Sequence, residues 1–363
     1  MKLPSLKIGD LTAKLPIIQG GMGVGVSLSK LAGSVAKEGG IGIISTAQIG
    51  FDEPDFETNT KEANLRSLEK HIKEAKKISN NGIIGINIMC VTNHYKETIK
   101  KAIDSGIDLI ISGAGLPKEL PKLVENTKVK IAPIISSARG AALMTKMWIS
   151  KYNYVPDMIV VEGPEAGGHL GFSRDELNNI KETKLNIYDI VKEVSTKMKE
   201  FEEKFKKKIP IIAAGGIFDN KDIQKSIECG ASGVQIASRF VATHECDADI
   251  RFKQAYVDAK EEDVQIVQSP VGMPGRAIKN KFIENVKNMG KPTKCLGCIK
   301  TCNPKETPYC ITKALINSVT GNLDEGLIFC GSNVSKINKI VSVKELMDEL
   351  AGNNETSVAS AIA

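Results

Sequence analysis

The sequence predicts an α/β protein in which parallel strands close into a (β/α)8 TIM barrel. Between residues 16 and 245, short runs rich in Ile and Val alternate with longer amphipathic runs, and the alternation recurs eight times. The short runs contain few polar residues, as expected for strands that are buried on both faces. A chain of 363 residues is long enough for such a barrel and a smaller additional lobe.

The expected strands alternate with helical patterns along the chain. They are residues 17–19, 41–45, 83–88, 107–111, 131–135, 157–161, 210–213 and 233–236. In a barrel of this kind, the functional side chains lie on the loops that follow the C-terminal ends of the strands. Candidate catalytic and ligand-binding residues are therefore expected on these loops.

The repeated pattern stops near residue 246 and predicts a change in organisation. We expect residues 1–245 to form the barrel, and residues 246–326 to form a small lobe over its mouth that carries a cluster of cysteines. Residues 327–351 are expected to return to the barrel as a C-terminal helix. The small, polar tail of residues 352–363 is expected to be disordered. Residues 172–209 are long for one connection and predict an added helix near the mouth.

Composition argues against nucleic-acid and membrane partners. The 49 Lys and Arg against 43 Asp and Glu give a net charge of +6, but the excess is spread along the chain and forms no basic stripe with aromatic residues. No run of about 18 apolar residues occurs, and the N-terminal residues lack the apolar core of a signal peptide. We expect a cytoplasmic protein that acts on a small molecule. A homodimer is one of the states that the sequence leaves open.

A glycine-rich loop follows the first predicted strand, and an asparagine lies at the end of the third. Gly21 and Met22 lie in a glycine-rich loop, where the absence of a Cβ lets the backbone approach a ligand. A tight turn is the alternative interpretation. Asn87 ends the third strand, where its amide can bind a ligand or cap the next helix.

The loops after the seventh and eighth strands have the pattern of a phosphate site. Gly215 and Gly216 follow the seventh strand, and Gln235, Ala237 and Ser238 lie at the end of the eighth. Barrels commonly bind phosphate at these two loops and a nearby helix N-terminus, where free N–H groups meet the anion. The placement predicts a phosphorylated cofactor or substrate, with close packing of glycines as the alternative.

The loop after the sixth strand is the most specific of all. It runs from Glu162 through a glycine-rich turn to His169, and of the four histidines only His169 follows a barrel strand within such a turn. An imidazole there is expected to titrate near neutrality and to suit proton transfer. A buried histidine with a purely structural role is the alternative.

A cluster of cysteines marks the predicted lobe. Cys295, Cys298, Cys302 and Cys310 follow one another at short spacings that can surround a zinc ion or an iron–sulfur cluster. Neither standard spacing fits, and buried free thiols are the alternative. Cys330, farther along, is interpreted as ordinary packing.

Six short runs, each at or just after the end of a predicted strand, together resemble a known family. They are residues 19–22, 87–89, 113–115, 162–169, 214–216 and 235–238. In this order they resemble the nitronate monooxygenase (2-nitropropane dioxygenase) family, including the related flavin-dependent enoyl-ACP reductases. The resemblance covers about residues 10 to 245 and recurs near residues 276–280.

The resemblance implies an FMN-binding barrel with a small second domain over the flavin. It implies that Gly21, Met22 and Asn87 line the flavin ring, that Glu162 supports the site and that His169 is catalytic. The residues implied to hold the ribityl phosphate are Gly215, Gly216, Gln235, Ala237 and Ser238. Relatives often carry Gly-Thr in place of Ala237 and Ser238, and the well-known members lack the cysteine cluster.

Several functions are compatible with these residues. The first is the oxidation of alkyl nitronates by FMN and dioxygen. The second is the reduction of an enoyl thioester in fatty-acid synthesis with NAD(P)H as donor, which uses the same barrel and the same histidine. The cysteine cluster motivates a third, an electron-transfer module with FMN and an iron–sulfur cluster. A flavin-free barrel enzyme with a phosphorylated substrate is the fourth.

Overall fold

The computed structural model describes residues 2–288 and 294–353. Within these residues, the strands form a barrel sheet, a two-stranded hairpin and a small sheet that we call the lobe sheet. Numbered along the chain, the strands are β1 (Leu6–Ile8), β2 (Leu11–Ala13), β3 (Ile17–Gln19), β4 (Gly42–Ser45), β5 (Ile84–Met89), β6 (Leu109–Gly113), β7 (Lys130–Ile135), β8 (Ile159–Glu162), β9 (Gly168–His169), β10 (Ile211–Ala214), β11 (Gly233–Ile236), β12 (Val264–Gln268) and β13 (Pro274–Ile278).

The barrel sheet confirms the predicted fold class. In the described residues it has eight strands in the order β3-β11-β10-β8-β7-β6-β5-β4, and the paired neighbours run parallel. Two hydrogen bonds close it, since Gln19 N donates to Ile41 O at 3.0 Å and Ile41 N donates to Ile17 O at 2.9 Å. Each strand lies within about two residues of its predicted position.

The barrel interior is filled by side chains and is closed at one end by the N-terminal hairpin. Leu6 and Ile8 of β1 pack in one cluster with inward-facing residues of the barrel strands, among them Ile18, Leu109 and Val160, and all five are essentially inaccessible to solvent. Burial of this apolar surface favours closure of the barrel.

Helices surround the barrel sheet. In the described part of the chain they are α1 (Ser29–Lys37), α2 (Thr60–Ile78), α3 (Tyr95–Asp104), α4 (Leu120–Leu123), α5 (Ala138–Tyr152), α6 (Arg174–Asn178), α7 (Ile180–Thr183), α8 (Ile187–Phe205), α9 (Asn220–Glu228), α10 (Ser238–Val241), α11 (Ile250–Asp258), α12 (Lys281–Asn285), α13 (Ile311–Val319) and α14 (Val343–Leu350). The short helices α6 and α7 lie in the stretch for which the sequence predicts an added helix.

Helix α8 shows how the sequence specifies such a helix. Asn186 caps its first turn by accepting a hydrogen bond from Asp189 N, and the helix ends at Lys206, which adopts a left-handed conformation. Apolar side chains at helical spacing, such as Ile187, Val191 and Val194, are buried against the barrel.

The lobe sheet links the lobe to the barrel. Strand β12 pairs antiparallel with β13, and β13 also pairs with β9, which belongs to the loop after β8. Residues 269–273 form the turn between β12 and β13, in which Gly272 N donates to Ser269 O at 3.0 Å. The division of the chain at residues 245 and 326 stays a prediction.

The C-terminal segment returns to the barrel through helix α14. Its buried residues Val343, Leu346 and Leu350 join the same apolar cluster as Leu31 and Val35 of α1. The predicted disorder of the tail concerns residues 352–363, of which 354–363 lie outside the described residues. Among the described residues, no helix is both long and apolar enough to cross a membrane.

Candidate functional site

A cavity of about 530 Å³ lies at the C-terminal ends of the barrel strands. Loops after the barrel strands line it, the lobe contributes Met273, and the C-terminal segment contributes Leu327 and Phe329. The predicted catalytic and cofactor-binding residues all border this cavity: Gly21, Met22, Asn87, Glu162, His169, Gly215, Gly216, Gln235, Ala237 and Ser238. The structure thus brings together side chains from distant parts of the sequence, and their individual roles stay predictions.

Three glycines leave room that no other residue would leave. A Cβ on Gly21 would collide with the side chain of Asn87. Gly215 and Gly216 have φ angles of +89° and +82°, which side-chain-bearing residues rarely adopt, and a Cβ on Gly216 would lie 2.6 Å from Oε2 of Glu165. Gly21 is therefore required for space, whereas Gly215 and Gly216 are required mainly for their backbone conformation.

Gln235 presents an unpaired polar atom at the cavity. Among the described residues, its buried side-chain oxygen has no hydrogen-bond partner. A buried acceptor without a partner is unfavourable, because it has lost its bond to water and gained none in return. A bound group with an N–H donor, such as the flavin ring, would satisfy it. The oxygen therefore suits the ring of the predicted cofactor, whereas the resemblance assigns Gln235 to the phosphate.

A C-terminal segment that the sequence analysis missed borders the predicted phosphate loops. Gly331 N donates to Oγ of Ser238 at 2.9 Å, and Nδ2 of Asn333 donates to Gly216 O at 2.9 Å. Both residues line the cavity, as does Cys330, which the sequence analysis assigned to packing. The run of small polar residues after an apolar segment was the available signal. Ser238 retains its hydroxyl proton, which can be donated to a phosphate oxygen.

His169 lies at the junction between barrel and lobe. Its Nε2 lies 2.7 Å from Oγ of Ser269, and its ring contacts the edge of Phe329 at a centroid distance of 5.0 Å. Burial lowers the pKa of His169 to about 4, because the cationic form is poorly solvated there. This pKa lies below the neutral range expected from the sequence, and burial favours the neutral imidazole at pH 7.

Glu162 ends β8 and also borders the cavity. Burial raises its pKa to about 7, while a hydrogen bond from Gly171 and the positive charge of Arg276 oppose the rise. Both the neutral and the ionised form of this carboxyl group are therefore populated near neutral pH. A neutral histidine and a partly protonated carboxyl group thus border the same cavity.

Arg276 holds the loop between Glu162 and His169 in place. Its side chain is only 5% exposed and donates a hydrogen bond to Ala166 O. Its own carbonyl accepts from Cys330 N at 3.0 Å, and its backbone pairs with Gly168 in the lobe sheet. One residue therefore connects the barrel loop, the lobe sheet and the C-terminal segment.

The predicted metal site is not found. Among the described residues, which include Cys295, Cys298, Cys302 and Cys310, no three His, Cys, Asp or Glu side chains form a group that can hold a metal ion. Cys295 is exposed, whereas Cys298 is largely enclosed and bonds to Thr312. Burial, together with the neighbouring cysteines, raises the pKa of Cys298 and Cys302.

The cysteine segment instead fastens the lobe to the barrel. Asn93 N donates to Cys298 O at 3.1 Å, and Lys300 N donates to Val91 O at 2.8 Å. Residues 91–93 follow β5, whose Asn87 and Met89 border the cavity. The alternative interpretation, buried free thiols, fits only in part, since the four thiols are free but Cys295 is exposed and the other three are half-buried.

Comparison with known sequences identifies the family. The sequence model of the nitronate monooxygenase family matches residues 5–353. A probable nitronate monooxygenase of Staphylococcus saprophyticus is 27% identical over 310 residues, covering 79% of this chain and 81% of that protein. A probable nitronate monooxygenase of Bacillus subtilis is 25% identical over 371 aligned positions, covering 92% of this chain and 94% of that protein.

Solved structures share the architecture. FabK from Thermotoga maritima has a TM-score of 0.72 and 24% identity, covering 96% of this chain and 95% of that one. A nitroalkane oxidase from Streptomyces ansochromogenes has a TM-score of 0.69 and 16% identity, covering 97% of this chain and 98% of that one. At these identities the likeness bears on the fold alone.

The family match extends over the barrel, the lobe sheet and helix α14. It confirms the resemblance that the six loop motifs carry, and the same loops meet at one cavity. The chain therefore belongs to the nitronate monooxygenase family and is a flavin-dependent oxidoreductase.

Proposed function

We propose that this enzyme binds FMN and oxidises alkyl nitronates with dioxygen. The observation that carries the proposal is the position of His169 at a cavity lined by the predicted cofactor residues, where burial favours the neutral imidazole. A nitronate has already lost its α-proton, so its site needs hydrogen-bond donors for the anionic oxygens and no strong base. An imidazole whose pKa is about 4 meets this requirement, since it is a poor base but a good donor.

The residues at the cavity fit FMN. Gly21, Met22 and Asn87 would border the ring, and the unpaired oxygen of Gln235 would accept from a ring N–H group. Gly215, Gly216, Ala237 and Ser238 would hold the phosphate through backbone N–H groups and one hydroxyl. FMN, when bound, supplies the electron chemistry by which a nitronate is oxidised and dioxygen is reduced.

The side chains around the cavity would then orient the nitronate and exclude water from it. His169 would donate a hydrogen bond to a nitronate oxygen, and the apolar side chains of Met273, Leu327 and Phe329 would keep water away from the reacting carbon. Glu162 in its protonated form would add no charge that repels the anion. The protein contributes position and charge, and the cofactor contributes reactivity.

A second candidate is the reduction of an enoyl thioester by NAD(P)H. The observation that favours it is Leu116, a cavity-lining residue on the loop after β6 that is 44% exposed. An exposed apolar side chain at the rim gives an acyl chain a surface to contact. His169 would in this case donate a hydrogen bond to the enolate oxygen.

One experiment separates the two candidates. The purified protein is expected to show a flavin spectrum, to consume oxygen with ethyl nitronate, and to leave NADH unoxidised when crotonyl-CoA is added. NADH oxidation with the thioester, and no oxygen uptake with the nitronate, would overturn the first proposal. A colourless protein that does not bind added FMN would exclude both.

A further inference from the structure

We infer that Ser269 fixes the tautomer of His169, so that the ring nitrogen left for a substrate carries the proton and donates it to an anion. The inference deepens the proposed function and rests on it in one respect, the identity of the anion as a nitronate. It makes Ser269 a positioning residue that selects nitronates over neutral nitroalkanes.

The first step is the geometry of the pair. Oγ of Ser269 lies 2.7 Å from Nε2 of His169, a distance typical of a strong hydrogen bond. Among the described residues, no hydrogen bond reaches Nδ1 of His169. His169 borders the cavity and Ser269 does not, so Nδ1 is the nitrogen available to a molecule bound there.

The second step is the hydrogen-bond capacity of Ser269. The residue is 3% exposed, and its Oγ accepts a hydrogen bond from Val271 N at 3.2 Å. Its backbone is held in the turn between β12 and β13, where Ser269 N donates to Met273 O at 3.2 Å. A serine hydroxyl has a single proton to donate, and His169 is the acceptor within reach in the described residues.

The two neutral tautomers of His169 differ in how many buried polar groups they leave unpaired. If Nε2 is unprotonated, Ser269 donates to it, the amide of Val271 donates to Ser269, and each group is paired. If Nε2 carries the proton, it donates to Ser269, and the hydroxyl proton is buried without an acceptor. An unpaired buried donor is costly, so the first tautomer, with the proton on Nδ1, is favoured.

The consequence concerns the form of the substrate. A protonated Nδ1 can donate to the negatively charged oxygens of a nitronate, but it has no lone pair with which to take the α-proton of a neutral nitroalkane. The low pKa of His169 has the same consequence, since it also makes the ring a weak base. Ser269 thereby directs the site toward substrates that are already anions.

The tautomer can be read without any activity assay. Protein that contains FMN and 15N-labelled histidine is examined by long-range 1H–15N NMR at pH 7, and the His169 signals are assigned by their loss in His169→Asn. We expect an unprotonated Nε2 and a protonated Nδ1. A protonated Nε2 in the wild-type protein would overturn the inference.

Substitution of Ser269 tests the effect on substrate choice. In Ser269→Ala, the ratio of kcat/KM for ethyl nitronate to that for nitroethane is expected to fall about tenfold, because both tautomers become accessible. Ser269→Thr keeps a hydroxyl and is expected to keep the ratio. A purely structural role would lower both rates together, and an unchanged ratio in Ser269→Ala would contradict the selection of substrate.

The two proposals fail in different ways. If the wild-type enzyme does not oxidise nitronates, the proposed function fails, and so does the assignment of Ser269 to nitronate selection. The NMR measurement still decides whether Ser269 fixes the tautomer of His169. If nitronates are oxidised and Nε2 is protonated, the function stands and the inference about Ser269 is wrong.

Discussion

His169 and Glu162 border one cavity, and burial moves their pKa values in opposite directions. The pKa of the imidazole falls to about 4, and the pKa of the carboxyl group rises to about 7. In both residues the neutral form is favoured over the charged form, because a buried charge loses its hydration. The sequence identifies both residues, but their protonation depends on neighbours that are distant in the chain.

Replacement of His169 tests its place in the chemistry. His169→Asn is expected to retain FMN and to lose at least about a hundredfold in kcat/KM, the usual contribution of a positioned donor or proton-transfer group. His244, which is exposed, supplies the control, and His244→Asn is expected to leave turnover unchanged. Measurement of kcat/KM and of flavin content per chain checks both variants. Wild-type turnover in His169→Asn would remove the catalytic assignment.

The raised pKa of Glu162 predicts a pH dependence of stability. Its folded pKa of about 7 lies above its ordinary value of 4.5, so the folded protein holds the proton more tightly than the unfolded chain does. Stability from this group is present at low pH and is lost as the pH rises through the folded value.

Glu162→Gln removes this dependence. The Tm difference between the variant and the wild-type protein, both saturated with FMN, is expected to shift in favour of the variant between about pH 5 and pH 8. Thermal unfolding at a series of pH values measures it. A Tm difference that stays constant with pH would show that the carboxyl group is not desolvated.

At the scale of elements, the barrel strands were predictable and the lobe sheet was not. Strands such as β7 and β8 are apolar runs buried on both faces, a local signal. Strand β9 has two residues, and its partner β13 lies about a hundred residues farther along the chain. Pairing over such a distance depends on the fold as a whole, which the periodicity of either segment cannot report.

The loop after β10 supplies a test at this scale. Gly216→Ala forces an unfavourable φ and places a Cβ 2.6 Å from Oε2 of Glu165, so FMN affinity is expected to fall by about tenfold or more. Gly106 has a similar φ of +86°, but no atom lies near its Cβ position, and it is not among the cavity-lining residues. Gly106→Ala therefore controls for backbone strain alone.

The comparison uses fluorescence titration of FMN into each apoprotein. Gly106→Ala is expected to bind FMN as the wild-type protein does, even if its Tm falls. Equal FMN affinity in Gly216→Ala and the wild-type protein would show that the loop after β10 does not approach the cofactor.

For the whole molecule, the cysteine segment connects lobe and barrel by backbone hydrogen bonds, and its described side chains do not form a group that could hold a metal ion. We expect the purified protein to contain less than about one tenth of an equivalent of iron or zinc, and its Tm to be unaffected by chelators, because structural metal sites contribute directly to folding. Elemental analysis of anaerobically purified protein measures the content. Stoichiometric iron or zinc, or a fall in Tm with a chelator, would restore the metal site.

The sequence by itself determined the barrel, its strand positions and the loops that carry Gly21, Asn87, Glu162, His169 and Gly215. It could do so because these signals are local: buried apolar runs, glycines at turns, and one histidine in a glycine-rich loop.

The tertiary structure decided the rest, namely the contact of His169 with Ser269, the entry of Gly331 and Asn333 into the cavity, and the pKa of Glu162. Each depends on segments far apart in sequence that meet only after folding. Burial and hydrogen-bond partners determine the protonation and orientation of these side chains, and both exist only once the segments are packed together.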